Sequence, residues 1–216
     1  MYYSKDRQRN ISSMTNNCMT VTGRGSVTAI PDIAIIRLGV LTSGDNLSFT
    51  QEENARISQI ILEGLRQMGV IDIKTHQYNI DKLYDYENGT RIDRGYSVRN
   101  VFEIRTDMLD MAGAIIDSAV SLGANLVELI TFEVSATDQY YLEALNIALT
   151  NASNKAHSMA TEIGALLNAL PVSITEDRSQ PLPIARTLLG EGQYSTPIEH
   201  GTTQIEALVI LKFTYI

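Results

Sequence analysis

The sequence contains no tryptophan, one cysteine and five prolines. Cys18 cannot form an internal disulfide, so it fits a reducing compartment or one that makes no use of disulfides. A chain of 216 residues needs no cross-link, because folding at that length buries about 70–75% of the unfolded surface. Long apolar runs are also missing. No stretch approaches the ~18 apolar residues of a membrane span. Residues 1–17 lack the apolar core of a secretory signal peptide, which gives a cytoplasmic expectation. Basic charge is scarce: 17 Lys and Arg stand against 25 Asp and Glu, for a net charge of −8. No run of Lys or Arg opposes that balance, so nucleic acid and anionic lipid are not expected partners.

Catalytic and metal-binding signals are equally thin. The three histidines, His76, His157 and His200, have no metal-ligand spacing, and the lone thiol lies near the N-terminus. Gly23-Arg24-Gly25 sits inside an alternating strand pattern and lacks the third glycine of a phosphate-binding turn. Glycines placed where another backbone or side chain passes close are the simpler reading. There is no nucleophile-elbow pattern. No catalytic residue, cofactor or metal ligand is assigned, and the chain is not expected to be an enzyme.

What is present is a clear order of elements. Residues 1–18 read as a disordered tail, followed by a single domain over 19–216. Strict alternation from Met19 to Ala29 predicts a half-buried strand, and Ile33 to Leu41 a second, more central one. Ser43-Gly44-Asp45-Asn46 ends that strand and offers an N-cap for a helix over Leu47–Met68, which Gly69 stops. The apolar phase between Ile71 and Tyr84 switches from odd to even, which predicts a bulge near Thr75–Gln77. Asn88-Gly89 is a hairpin signal, and the return strand runs from Ile92 to Arg105. Thr106-Asp107 then caps a helix over Met108–Leu122, and Leu126 to Val134 is the next strand.

Ser135 and Asp138 have capping-box spacing at the head of a long helical pattern that reaches Leu167. Leu142, Leu145, Leu149, Met159 and Ile163 mark its inward face, together with alanines that let a neighbour approach closely. A short strand over Val172–Thr175, a Pro- and Gly-rich mobile loop over 176–202 and a final strand from Ile205 complete the chain. The fold class is α+β. A ferredoxin-like β-α-β-β-α-β core with an antiparallel or mixed sheet gains a long third helix and extra strands at both chain ends.

The most suggestive surface is the hairpin, where Tyr78, Tyr84, Tyr86 and Tyr96 are interleaved with Lys82, Arg91, Arg94 and Arg99. Tyrosine and arginine are enriched where proteins meet proteins. The plainer alternative is an ordinary ribbon whose tyrosines cover the sheet.

Together these segments resemble the SIMPL-domain family. The likeness is carried by Val21-Thr-Gly-Arg-Gly-Ser-Val27, Pro31-Asp32-Ile-Ala34, Gly69-Val-Ile-Asp-Ile-Lys-Thr75, Tyr84-Asp-Tyr86 and Gly95-Tyr96-Ser-Val-Arg-Asn100. It continues through Gly123-Ala-Asn125, Ile130-Thr-Phe132, Lys155-Ala156 and Thr196-Pro-Ile198. The resemblance implies no catalytic residues. It implies a link to oxidative-stress protection and, in some bacterial members, assembly into large ring-like homo-oligomers. The expected function is therefore a non-enzymatic, self-associating protein with a stress-related role. Its expected partner is itself, and any other protein partner is unknown. The alternative is a small-molecule or peptide binding module that uses the Tyr78–Arg99 ribbon and the 176–202 loop.

Overall fold

The computed structural model describes residues 17–177 and 198–216. Of the tail read over 1–18, residues 1–16 lie outside the described residues and Cys18 opens a strand; of the mobile loop read over 176–202, residues 178–197 lie outside them and 176–177 end a strand. In chain order the elements are β1 (Cys18–Ala29), β2 (Ile33–Gly44), α1 (Leu47–Gln67), β3 (Asp72–Glu87), β4 (Thr90–Thr106), α2 (Ala112–Ser121), β5 (Leu126–Glu133), α3 (Thr137–Glu162), β6 (Ser173–Asp177) and β7 (Thr203–Thr214). The fold is α+β, and its elements gather into two compact units.

The larger unit holds residues 28–137 and 198–204. Its sheet has the order β3-β4-β2-β5, and every neighbouring pair is antiparallel. With α1 and α2 as crossovers, this is the ferredoxin-like plan. Asn46 caps α1 by accepting from the Phe49 amide at 3.2 Å. Gly69 and Gly123 close α1 and α2 at φ values of 89° and 109°, a conformation that side chains with a Cβ resist. Ile36, Leu38 and Val40 of β2 meet Ile61, Leu65, Ile104 and Ile115 in a core closed to water. The bulge falls between Thr75 and Gln77, and Asn88-Gly89 turns with both φ values positive, as expected. The helix expected from Met108 starts at Ala112 instead. Thr106 Oγ1 accepts from the Met108 amide, and Leu109–Met111 then wind as a tighter 3₁₀ turn, with the Met111 amide on Met108 O.

The smaller unit holds residues 17–27, 138–177 and 205–216. Its sheet has the order β1-β7-β6. Tyr215 N donates to Asn17 O, which sets the start of β1 against the end of β7. Helix α3 lies on this sheet through an alanine stripe, Ala144, Ala148, Ala152, Ala156 and Ala160, all buried. The opposite strand supplies Gly23 and Gly25. A Cβ at Gly25 would lie 1.9 Å from Ala144 O, and one at Gly23 would lie 2.0 Å from Ala148 O. The helix and strand backbones are therefore in direct contact.

Helix α3 differs from its expected form at both ends and on one face. The box from Ser135 to Asp138 is not formed. Both the amide and the hydroxyl of Ser135 donate to the Asp32 carboxylate, so the hydroxyl does not serve the helix. The C-terminus comes at Glu162 because Gly164 adopts a φ of 70° and the Ala165 amide folds back onto Ala160 O. Leu142, Met159 and Ile163, expected inward, are exposed, because the alanine face is the one that allows close approach.

Candidate interaction surface

Strand β4 pairs with β2 only as far as Gly44↔Tyr96, while its ladder with β3 continues to Glu87↔Thr90. The hairpin therefore leaves the four-stranded sheet as a two-stranded arm. The exit is marked by a second irregularity: the pairs Lys82↔Tyr96 and Tyr84↔Asp93 follow one another, so Arg94 and Gly95 stand against Leu83 alone. Gly95 takes a φ of 82°, and its amide donates to Asp93 Oδ1 at 2.9 Å. A Cβ there would lie 2.4 Å from Gly44 O, so glycine is needed for space as well as for conformation.

The arm carries a compact cation-and-ring cluster. Lys82 Nζ lies 2.7 Å from Asp93 Oδ2, 5.5 Å from the Tyr84 ring centre and 5.4 Å from that of Tyr96. The Arg91 guanidinium carbon is 3.2 Å from the Tyr84 ring centre, so this ring meets both Lys82 and Arg91. The bond between Lys82 and Asp93 raises the lysine's pKa and lowers the aspartate's. Both groups are well exposed, so the pair orients the rings and adds little stability. Arg94 pairs with Asp85 at 2.8 Å. Tyr86, opposite Arg91, is 73% exposed.

Five of the seven residues singled out in the sequence thus meet in the arm: Tyr84, Tyr86, Arg91, Arg94 and Tyr96. Tyr78 is exposed lower on β3, opposite Asn100. Arg99 does not join them. Strand alternation turns it to the other face of the sheet, where it bonds to Glu128 of β5. Lys82 and Asp93, which order the rings, were legible only as charges between tyrosines.

That other face also holds a charge cluster that spacing alone does not reveal. Cross-strand register aligns Lys74, Glu103 and Arg37. Lys74 Nζ and Arg37 Nη2 lie 2.8 Å and 2.7 Å from the Glu103 carboxylate, whose side chain is only 11% exposed. Hydrogen bonds from Lys74 and then Arg37 hold the Glu103 carboxyl below its ordinary value of 4.5. A carboxylate with a depressed folded-state pKa contributes stability above its unfolded value and loses it as the pH falls. The melting temperature of Glu103→Gln should therefore fall less steeply than that of the wild type below about pH 4.5. Parallel slopes in a pH series of thermal melts would contradict the assignment.

Among the described residues no three His, Cys, Asp or Glu side chains group in a way that could hold a metal, and no helix is long and apolar enough to cross a membrane. The arm presents ordered aromatic and cationic surface, which suits contact with another protein.

Residues 19–213 match the sequence profile of the SIMPL family, described as a protein of unknown function. The 26 kDa periplasmic immunogenic protein of Brucella melitensis biotype 1 is 30% identical over 211 residues, covering 90% of this chain and 83% of the relative. The uncharacterized protein YggE of Escherichia coli (strain K12) is 26% identical over 195 residues, covering 88% of this chain and 78% of the relative. The Brucella protein is periplasmic by name, which overturns the cytoplasmic location expected above. That expectation rested on the polar character of residues 1–17, and the folded domain itself carries no mark of its compartment.

Proposed function

The chain belongs to the SIMPL family, and from that footing we propose that it is a non-enzymatic periplasmic protein that works by associating with copies of itself. The observation that carries this reading is the arm. A two-stranded ribbon is marginally stable alone in water, yet here it holds rings against cations beyond the edge of the sheet and leaves Tyr86 open. The outer edge of β3, at the end of its sheet, adds backbone groups that another strand could pair. The periplasmic setting is supported by the name of the Brucella relative. A stress-related role is supported by the family likeness.

Light scattering across a wide concentration range tests the reading. The wild type is expected as a fixed assembly larger than a dimer. Tyr86→Ala combined with Arg91→Ala should lower its mass while shifting stability little, since an exposed substitution usually stays within about 0.5 kcal/mol. A monomer at every concentration would overturn self-association and favour a small-molecule or peptide binding module on the same arm. An unchanged mass in the double variant would move the contact away from it.

A further inference from the structure

The tip of the arm carries a chemically reactive pair of residues. Of the thirteen asparagines in the chain, only Asn88 is followed by glycine. We propose that Asn88 is a self-modification site, where attack by the Gly89 amide converts the side chain into a mixture of aspartate and isoaspartate. The reaction needs no partner and does not rest on self-association.

The step is intramolecular. The main-chain nitrogen of Gly89 and the Asn88 side-chain carbon Cγ are close enough in the covalent chain to close a five-membered ring, and such tethering replaces a slow bimolecular encounter. The Gly89 nitrogen gives its proton to hydroxide and forms a bond to Cγ. The bond from Cγ to Nδ2 breaks, and the departing nitrogen takes a proton from water and leaves as ammonia. Water then adds to one of the two ring carbonyls, whose bond to the ring nitrogen breaks as that nitrogen regains a proton. Opening at Cγ gives aspartate. Opening at the main-chain carbonyl gives isoaspartate, with the chain rerouted through Cγ. Water enters, ammonia leaves, and nothing is oxidised or reduced.

A hairpin turn can protect such a pair by tying down the side chain or covering the nitrogen. Neither happens here. Asn88 is exposed, and neither its side chain nor the Gly89 amide has a hydrogen-bond partner among the described residues. A Cβ built on Gly89 would meet nothing within 4 Å, so no neighbouring group crowds this residue. Any residue other than glycine would place its own side chain beside the attacking atom. Ring closure requires Asn88 to rotate out of the turn, in which residues 88 and 89 hold φ values of 51° and 79°. The ladder pair that must open first is Glu87↔Thr90, the last between β3 and β4. It lies at the free end of a two-stranded ribbon, where fraying costs little.

The product changes the arm. Isoaspartate lengthens the main chain between residues 88 and 89 by one carbon, which a two-residue turn cannot absorb, and turn geometry sets the register of the strands it joins. Tyr86↔Arg91 is the next pair along, so the modification acts beside the most exposed ring of the arm.

Peptide mapping by mass spectrometry of the full chain, incubated in mildly alkaline buffer, tests the proposal. Asn79, exposed on the same strand and followed by isoleucine, is the internal control. Asn88 should lose its amide at least ten times faster than Asn79, and at a rate within tenfold of that in a free peptide of residues 84–93. Gly89→Ala should slow the reaction at least tenfold. Carboxyl methylation by an isoaspartyl methyltransferase should label the aged chain at residue 88. A smaller difference from Asn79, a folded chain more than tenfold slower than the peptide, an undiminished rate in Gly89→Ala, or products without isoaspartate would each overturn the proposal.

Discussion

Replacing Gly25 with valine should cost about 3 kcal/mol or more, near the upper end of the usual overpacking range. For a protein of this size that corresponds to a fall in melting temperature of roughly 6–12 °C. The reason is the identity of the neighbour. A Cβ at this position would lie 1.9 Å from Ala144 O and 2.6 Å from Ala148 N, both backbone atoms of a helix. A side chain can rotate away from an intruding methyl group, but a helix backbone moves only if the whole element does. The contact also makes a sharper claim. Ala144→Gly should not rescue the valine variant, because the atoms in the way belong to the main chain. Thr22→Val, on the exposed side of the same strand, serves as the neutral control. Urea titration of the three variants decides the matter. A valine variant within about 0.5 kcal/mol of the wild type, the ordinary range of surface changes, would show that β1 and α3 do not touch in solution.

The second large effect is expected at Asn54. This side chain is fully buried in α1 and donates from Nδ2 to Val98 O at 2.9 Å and Val40 O at 3.1 Å, with Thr42 Oγ1 at 3.3 Å. It therefore fastens the helix to two neighbouring strands. Ser58 Oγ reaches Asn54 Oδ1 at 3.4 Å and receives Asn100 Nδ2 at 3.0 Å, which extends the network along the helix. Asn54→Leu keeps the volume and removes the donors, so buried acceptors lose their partner at a cost of about 1–3 kcal/mol. Ser58→Ala should be less costly, and the double variant should depart from additivity by at least about 0.5 kcal/mol, as members of one network do. Strict additivity would mean that the two residues act separately.

These two sites also show where sequence reasoning stops. Alternation from Met19 to Ala29 disclosed a strand with glycines on one side, and the repeated alanines disclosed a helix made for close approach. Both readings hold, but spacing within a strand or a helix does not say that they are partners. The large residues Leu142, Met159 and Ile163 drew the inward face toward themselves, whereas close approach chose the small residues. Asn54 was invisible for a related reason. An asparagine on the buried side of a helix looks like an interruption until the strand carbonyls opposite it are known. Local chemistry was legible where the partner is local, as at the Asn46 cap, the Asn88-Gly89 turn and the glycines that end α1 and α2. It misled at Ser135, whose partner Asp32 lies 103 residues away. In the arm, the interleaved tyrosines and cations were plain to read. The extra residues at Arg94-Gly95, which alter the pairing between the strands, carry no periodic signal, and Arg99 was grouped with side chains on the opposite face of the sheet.

The contact between Gly95 and Gly44 bears on the geometry of any assembly built through the arm. Two main chains touch where the arm departs, so its direction depends on no rotamer that a partner could reset. Every copy would then offer its neighbour the same angle, and a repeated angle is a symmetry operator. Whether the rotation divides evenly into a full circle decides between a closed ring and an open helical filament. A few degrees at this elbow, multiplied around the circle, would change the number of subunits and the diameter they enclose.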